Sequence, residues 1–396
     1  MDPELVALRD RYRAFMEAHV YPNEMAFYAE DAAADALLAR LRERARAEGL
    51  WAPHIGAEAG GTGRGFLAYA YLNEEIGRCF WAQLIFGCQA PDAGNSEILD
   101  MFGTLQQRSA FLEPLVRGDV RSYFAMTERA VSGSDPTGIE TRAVLDGDEW
   151  VIDGDKWFQT GADGAAFGIV MAVTDPDGAP HRHISQIIVP ADTPGVDVVR
   201  PVPVLGHVGH GWNTHCEVRF RGARVPVSNL LGERGDGFRI AQKRLGPGRI
   251  HHVMRWLGQM QRAFDLMCSY ALQREAFGSR LADKQTVQNW IADSAAEIQG
   301  CRLMTLHAAG LIDAGEEARV EISALKFSAA KVLHDVIDRA VQTHGALGIS
   351  GDSPLSQMYL AARFARIYDG PDEVHRMVVA RRILKSYERG DGWRFH

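Results

Sequence analysis

The pattern of apolar and polar positions changes period twice along the chain. Residues 4–20 and 31–49 place apolar side chains three and four apart among Ala, Leu, Arg and Glu, which predicts amphipathic helices. Pro53 and the glycines Gly56, Gly60, Gly61, Gly63 and Gly65 predict a loop, and helical texture resumes through 66–77 and near 104–118. From about Tyr123 the period shortens to two. Cys216, Val218 and Phe220 alternate with Glu217, Arg219 and Arg221, as a half-buried strand requires, and 184–190 reads Ile-Ser-Gln-Ile-Ile-Val-Pro. Residues 145–148 and 152–155 each place Asp-Gly between strand-like residues, so a hairpin turn is predicted at both. After about Gly237 the helical period returns in longer runs. Within 322–341, Ile322, Leu325, Ala329, Val332, Val336, Ile337, Ala340 and Val341 keep one apolar stripe.

The order is therefore helices, then short strands with Gly and Pro turns, then helices, an α+β protein of several parts with a small β-sandwich or barrel in the middle. The 396 residues suffice for two or three subdomains. A formal net charge of −8 offers no electrostatic reason to expect a nucleic-acid partner. The five cysteines (Cys79, Cys88, Cys216, Cys268 and Cys301) are scattered and odd in number, with no CxxC, and read as reduced thiols rather than a disulfide framework or zinc site. No basic-then-apolar leader opens the chain, and no run of eighteen apolar residues predicts a membrane span. A cytoplasmic protein is expected.

Four polar segments stand out. The first is Met126-Thr127-Glu128-Arg129-Ala130-Val131-Ser132-Gly133-Ser134-Asp135, and the second is Asp155-Lys156-Trp157-Phe158-Gln159-Thr160-Gly161-Ala162. The third is Arg274-Glu275-Ala276-Phe277-Gly278 with Gln285, and the fourth is Tyr368-Asp369-Gly370-Pro371-Asp372-Glu373-Val374-His375-Arg376. Taken singly, each has a plain structural reading. Asp-Gly-Pro favours a turn for local reasons, a threonine at a strand end is commonplace, and a lone Arg274 is a solvated helix residue.

In this order and spacing, the four segments resemble the acyl-CoA dehydrogenase family over nearly the whole chain. Their counterparts are its Met-Thr-Glu-Pro…Gly-Ser-Asp loop, Lys-x-Trp-Ile-Thr strand, Arg-x-x-Phe-Gly helix and Tyr-Glu-Gly-Thr-x-Glu-Ile base loop. The runs 88–95, 244–252 and 369–375 resemble the branch whose animal members are fused to a kinase-like domain, for which this chain is too short. The resemblance implies an N-terminal helical domain over 1–121, a middle β domain over 122–235 and a C-terminal four-helix bundle over 236–396. The lack of a GxGxxG after a first strand agrees, since the family does not hold FAD on a Rossmann unit.

The implied reaction takes a proton from the carbon α to a thioester while hydride passes from the β carbon to FAD. A bare α C–H is a weak acid, so a positioned carboxylate, a polarised carbonyl and an electron sink are needed. The base position holds Asp369 where the family usually has Glu, a reach shorter by roughly 1.5 Å. A second family solution places the base at the start of the long helix, where this chain has Gly248. Burial beside an apolar acyl chain is expected to raise the Asp369 pKa. Its backbone N–H is expected at the thioester oxygen, with Gly370 beside it.

By the same resemblance, Met126, Thr127 and Thr160 would meet the flavin ring, and Phe158 would pack near its face where relatives carry Trp. Arg274 and Phe277 would reach the FAD of a neighbouring subunit, the guanidinium fork suiting its pyrophosphate. Gln285, Gln342, Gly345 and Glu373 fall at further FAD positions. Ser134 and Arg249 are expected at the cofactor or the CoA arm. Pro371 replaces the usual Thr and removes a hydroxyl and an N–H. Ala346 stands where a second Gly is common. A homodimer is the least assembly, a homotetramer is usual in the family, and electrons are expected to leave to an electron-transferring flavoprotein.

Three other features have weaker readings. His207, His210, His215 and Cys216 fit no compact zinc spacing, so no metal is expected, and 206–213 reads as a Gly-rich loop. His251 and His252 either touch substrate or are satisfied structural histidines. Gly60-Gly61-Thr62-Gly63 is not a P-loop, because no Gly-Lys-Ser/Thr follows. Two rival functions remain: an oxygen-using flavoprotein of the same fold, acyl-CoA oxidase-like or nitroalkane oxidase-like, and a non-catalytic binding module.

Overall fold

A computed structural model describes residues 2–395. In chain order its longer helices are α1 (Pro3–Phe15), α2 (Ala32–Ala47), α3 (Phe66–Gly77) and α4 (Asp92–Phe102). Strands β1 (Ser122–Ala125), β2 (Arg142–Asp146), β3 (Glu149–Thr160), β4 (Phe167–Val173), β5 (Ile184–Pro190), β6 (Val196–Pro201), β7 (His215–Pro226) and β8 (Leu230–Leu231) follow. Then come α5 (Gly237–Gln273), α6 (Gln285–Asp313), α7 (Arg319–His344), α8 (Leu355–Ala365) and α9 (Asp372–Glu388). The helix–strand–helix order read from the periodicity is observed. Among the described residues no helix is long and apolar enough to cross a membrane.

The chain divides into two compact units. One holds the N-terminal segment to Pro53, Gly63–Phe86 and everything from Gly246 onward, and it is helical. The other holds His54–Thr62 and Gly87–Leu245, including every strand from β1 to β8.

In the helical unit, caps set where helices begin. Asp31 accepts from the N–H groups of Ala33 and Ala34 at 3.0 and 2.9 Å, so α2 starts after it. The first N–H groups of α3, on Phe66 and Leu67, donate to the Asp313 carboxylate at the end of α6, both at 2.8 Å. An anion there also favours the positive end of the α3 dipole. Helix α7 packs against α6, α8 and α9. Its predicted stripe is largely buried: Ile322, Leu325, Ala329, Val336, Ile337 and Ala340 are all under a tenth exposed. Lys326 lies among them, fully buried.

In the β unit the strand path runs β6-β7-β3-β2-β4-β5-β8, with β1 parallel to β4. Asp146 pairs with Glu149, so Gly147 and Asp148 form the two-residue turn predicted there. The second predicted turn is not one. Gly154 lies inside β3, where the register against β7 slips between Ile152 and Gly154. It marks a bulge at which a side chain has no room: a Cβ at Gly154 would fall 2.7 Å from the Thr141 Cβ. One apolar cluster joins Trp150 and Ile152 of β3, Val170 and Ala172 of β4, Ile187 and Val189 of β5, and Val218 and Phe220 of β7. Both halves of the strand path thus bury the same core, and each such large side chain contributes about 1.5–3 kcal/mol by leaving water.

Candidate active site

In the helical unit the segment between α8 and α9 carries Asp369, and its conformation is unusual. Asp369 has φ +53° and Gly370 φ +99°. A non-glycine residue in the left-handed region costs of order 1–3 kcal/mol and persists only where its surroundings enforce it. The enforcing groups are visible. Arg249 Nε donates to the Asp369 carbonyl at 2.9 Å, and His375 Nε2 approaches the same oxygen at 3.2 Å. Lys326 Nζ donates to the carbonyls of Ala365 and Gly370 at 2.8 and 3.0 Å. Gly370 is required by space, since a Cβ there would lie 2.8 Å from His375 Nε2.

The Asp369 carboxylate has a separate partner. His252 Nε2 stands 2.9 Å from Oδ2, and the two side chains are 16% and 23% exposed, so the pair is sheltered without being sealed. Burial, and then the Arg255 charge, push the His252 imidazole down to about 4. It is neutral near pH 7, and the contact is a hydrogen bond rather than an ion pair. Arg255 Nη2 lies 3.2 Å from Nδ1 and can only donate, which assigns the ring proton to Nε2. His375 is likewise pushed down to about 4 by burial and by Arg249. Its Nε2 meets a carbonyl oxygen, which only accepts, so that nitrogen also carries the proton. Burial drives Lys326 down to about 8 while Asp369 and Asp372 oppose the shift. Its ammonium stands 5.5 Å from the ring centres of both Trp256 and Tyr368. Trp256 Nε1 donates to the Tyr368 hydroxyl at 2.8 Å. A carboxylate held by a neutral imidazole, on a backbone fixed by the nearby cations Arg249 and Lys326, suits proton abstraction beside a carbonyl. A Cβ at Gly248 would sit 3.9 Å from Asp369 Oδ2, so the two alternative base positions are neighbours in space.

The other helical-unit candidates are exposed. Arg274, Phe277 and Gln285 are exposed at the end of α5, in the hairpin after it and at the start of α6. Phe277 is fully exposed and has φ +54°. Gln285 Nε2 bonds Asn289 Oδ1 at 2.9 Å. Gln342 is exposed in the last turn of α7, which Gly345 ends with φ +59° and open space about its Cα. Glu373 is exposed in the first turn of α9.

In the β unit the candidates gather at the end of β3. Thr127 O accepts from Trp157 N–H at 2.9 Å and from the Gln159 amide at 3.0 Å, tying the loop after β1 to this strand. Lys156, wholly buried, binds Glu128 Oε1 at 2.8 Å and the Met126 carbonyl at 3.1 Å. Phe158 has φ +64° and is 37% exposed, so a flat ring is held outward from the strand. Thr160 Oγ1 lies 2.9 Å from His215 Nδ1, an imidazole that burial and His207 push down to about 4. Gly133 packs on Thr127, a Cβ there falling 3.2 Å from its methyl, while Ser134 is exposed. Trp157 Nε1 is buried with no protein partner. Exposed aromatic face, hydroxyls and an unsatisfied indole N–H form a donor set that fits a planar, heteroatom-rich cofactor such as a flavin. Among the described residues no group of three His, Cys, Asp or Glu is placed to hold a metal.

Lys326 and Trp256 lie outside the four segments that stand out in the sequence, yet both meet the base loop. A signal existed for the lysine: it sits four residues after Ile322 inside an apolar stripe, where a charge demands partners.

The chain matches three family descriptions end to end: acyl-CoA dehydrogenase N-terminal domain over residues 2–119, middle domain over 123–223 and C-terminal domain over 235–384. It is 45% identical to the probable acyl-CoA dehydrogenase FadE2 of Mycobacterium tuberculosis, over 97% of this chain and 96% of that one. It is 42% identical to acyl-CoA dehydrogenase family member 11 of Rattus norvegicus, over 96% of this chain but 50% of the relative, so it spans about half of that protein's length. Butyryl-CoA dehydrogenase from Megasphaera elsdenii superposes with a TM-score of 0.85 at 27% identity, over 97% of this chain and 99% of the other.

Proposed function

The chain belongs to the acyl-CoA dehydrogenase family, and from that premise we propose that it oxidises an acyl-CoA thioester to the trans-2-enoyl-CoA with Asp369 as the base. The observation that carries the reading is the fixed geometry at Asp369. Its backbone is held in a left-handed conformation by Arg249, His375 and Lys326, and its carboxylate by His252. Asp369 removes the α proton and becomes the carboxylic acid. Its backbone N–H binds the thioester oxygen, where negative charge grows as that proton leaves. Arg249 and Lys326 are the nearby positive charges that favour this build-up.

FAD, when bound, supplies the acceptor for the β hydride. In the β unit, Met126, Thr127, Phe158 and Thr160 would hold the flavin ring. In the helical unit, Arg274, Phe277, Gln285, Gln342, Gly345 and Glu373 would hold the nucleotide portion of a neighbouring subunit's cofactor. A fully exposed phenylalanine beside an exposed arginine supports a homo-oligomer in which those side chains find a partner. Ser134 in the β unit and Arg249 and Gly370 in the helical unit are the candidates for contacts to the substrate. Electrons leave to an electron-transferring flavoprotein.

The test is anaerobic addition of saturated acyl-CoAs to the FAD-loaded protein. Wild type should bleach, and Asp369→Asn should keep FAD while bleaching about 10²–10⁴-fold more slowly, the usual contribution of a positioned base. Bleaching at the wild-type rate in Asp369→Asn removes the base assignment. Rapid reoxidation of the bleached protein by air points to the oxygen-using relatives instead.

A further inference from the structure

Asp369 is one carbon–carbon bond shorter than the carboxylate usual at this position, and the structure shows what stands in the space that bond leaves. We propose that His252 is a positioning residue for the base: its imidazole clamps the Asp369 carboxylate from one side and fills the volume a glutamate would need. The proposal rests on Asp369 being the base and adds the reason why that base is an aspartate.

His252 Nε2 is already at hydrogen-bond distance from Oδ2, 2.9 Å. A glutamate would carry its oxygens roughly 1.5 Å further, the length of one extra C–C bond, and would run into the ring or turn away from it. The ring has no retreat. Arg255 contacts Nδ1 at 3.2 Å, Tyr368 packs at 4.6 Å between ring centres, and Trp256 stacks at 6.2 Å. Trp256 and Tyr368 are themselves joined by a hydrogen bond of 2.8 Å. One turn before His252 on the same face of α5, Gly248 presents no side chain, and a Cβ there would lie 3.9 Å from Oδ2. The ring thus bounds the carboxylate at Oδ2 and limits how far a longer side chain could extend past it.

The same hydrogen bond sets the charge state. A neutral imidazole donating to the carboxylate favours its ionised form, the form a base must have. The other charged or titratable groups facing the pair are Arg249 and Arg255 on α5, Lys326 on α7, Tyr368 before α9, and Asp372 and His375 on α9. Of these, His375 engages the Asp369 carbonyl and Arg249 likewise, so neither replaces His252 at the carboxylate.

The experiment compares FAD-loaded wild type, Asp369→Glu, His252→Ala, His252→Gln and the double variant Asp369→Glu/His252→Ala. The readouts are kcat, KM, the pH profile of kcat/KM and exchange of the substrate α proton with D2O. Asp369→Glu is expected to lose about 10²-fold in kcat, as for a base misplaced by an ångström or more. Removing the ring should give the longer base room, so the double variant recovers at least about tenfold over Asp369→Glu. His252→Ala alone should move the acid limb of the pH profile to higher pH, since a lost donor raises the carboxylate pKa. His252→Gln, which keeps a donor at the same reach, should return the limb and holds the test open if the alanine variant folds poorly. A double variant no better than Asp369→Glu, or acid limbs that coincide in wild type, His252→Ala and His252→Gln, overturns the proposal. Full activity in Asp369→Asn would instead remove the base assignment on which it stands.

Discussion

Each unit of the molecule buries one lysine completely, and the two are held in opposite ways. Lys156 in the β unit faces a carboxylate: Glu128 Oε1 lies 2.8 Å away, and the Glu128 oxygens also accept from the N–H groups of Glu140 and Thr141 at 2.8 and 3.0 Å. Lys326 in the helical unit faces the carbonyls of Ala365 and Gly370 and two aromatic rings. Burial pushes both ammonium groups down to about 8. In the first case the charge is cancelled where it lies, and the pair acts as a strut between the loop after β1 and strand β3. In the second the hydrogen bonds are satisfied but the charge is not. It acts on Asp369 and Asp372, the carboxylates whose attraction opposes the downward shift. A paired lysine builds structure, whereas a carbonyl-held lysine also builds a field.

The comparison predicts different damage from the same substitution. Lys156→Met leaves Glu128 buried without its cation, and losing one partner of a buried pair costs about 3–5 kcal/mol. Urea unfolding should show that loss, and Lys156→Met/Glu128→Gln should regain part of it, because no charge is then left buried and the amide oxygen still accepts from one of the two N–H groups, of Glu140 or Thr141. At saturating FAD the kcat of folded Lys156→Met should stay within a few-fold of wild type. A large fall in kcat without a fall in stability would erase the distinction between the two lysines.

Much of this architecture was legible along the chain, for physical reasons that also mark where legibility stopped. A period of two placed Cys216, Val218 and Phe220 inside the β unit, and a period near 3.6 placed Ile322, Leu325 and Ala329 inside the helical one. Periodicity reports which face is buried, since the core removes that face from water. It does not report partners. Gly154 reads as a turn because Asp-Gly is a turn signal, whereas the glycine is needed because a Cβ there would fall 2.7 Å from the Thr141 Cβ. The base loop was legible through its resemblance to a known motif, while the brace on that base was not. His251 and His252 are adjacent and chemically equal in the sequence. Only the fold separates them, placing His251 against Phe66 and Tyr69 and His252 against Asp369. Lys326 interrupts the apolar stripe of α7, but the carbonyls it meets lie 39 and 44 residues away, which no local pattern reports.

A comparable stability loss and a larger kinetic one are expected from Lys326→Met. Two hydrogen bonds from a charged donor are removed, worth about 1.5–3 kcal/mol each at most, and the apolar surroundings accept a methionine in return. The loop carrying Asp369 then keeps Arg249 and His375 but loses the tether at Gly370. A base displaced by a fraction of an ångström should lower kcat about 10- to 100-fold with little change in FAD content. Substrate-reduction kinetics beside a flavin absorbance ratio measure both. Unchanged kcat in Lys326→Met would show that Arg249 and His375 suffice to fix the loop.

The smallest effect separates charge from tethering. Lys326 should lose its proton as pH rises through about 8. The neutral amine still donates to the two carbonyls, so the loop stays in place, while the positive charge beside the base disappears. Developing charge on the thioester is then less favoured, and kcat/KM should fall by up to about tenfold per pH unit on the alkaline side. Neither His252 nor His375 accounts for such a limb, since both are pushed down to about 4 and stay neutral throughout that range. Lys326→Arg carries its charge past pH 12 and should push the limb out of the measured range, even if its larger head lowers the plateau. Lys156→Arg should leave the limb where it is, because the charge at Lys156 is answered locally by Glu128. A limb that stays near 8 in both variants would place the titrating group elsewhere and reduce Lys326 to a tether.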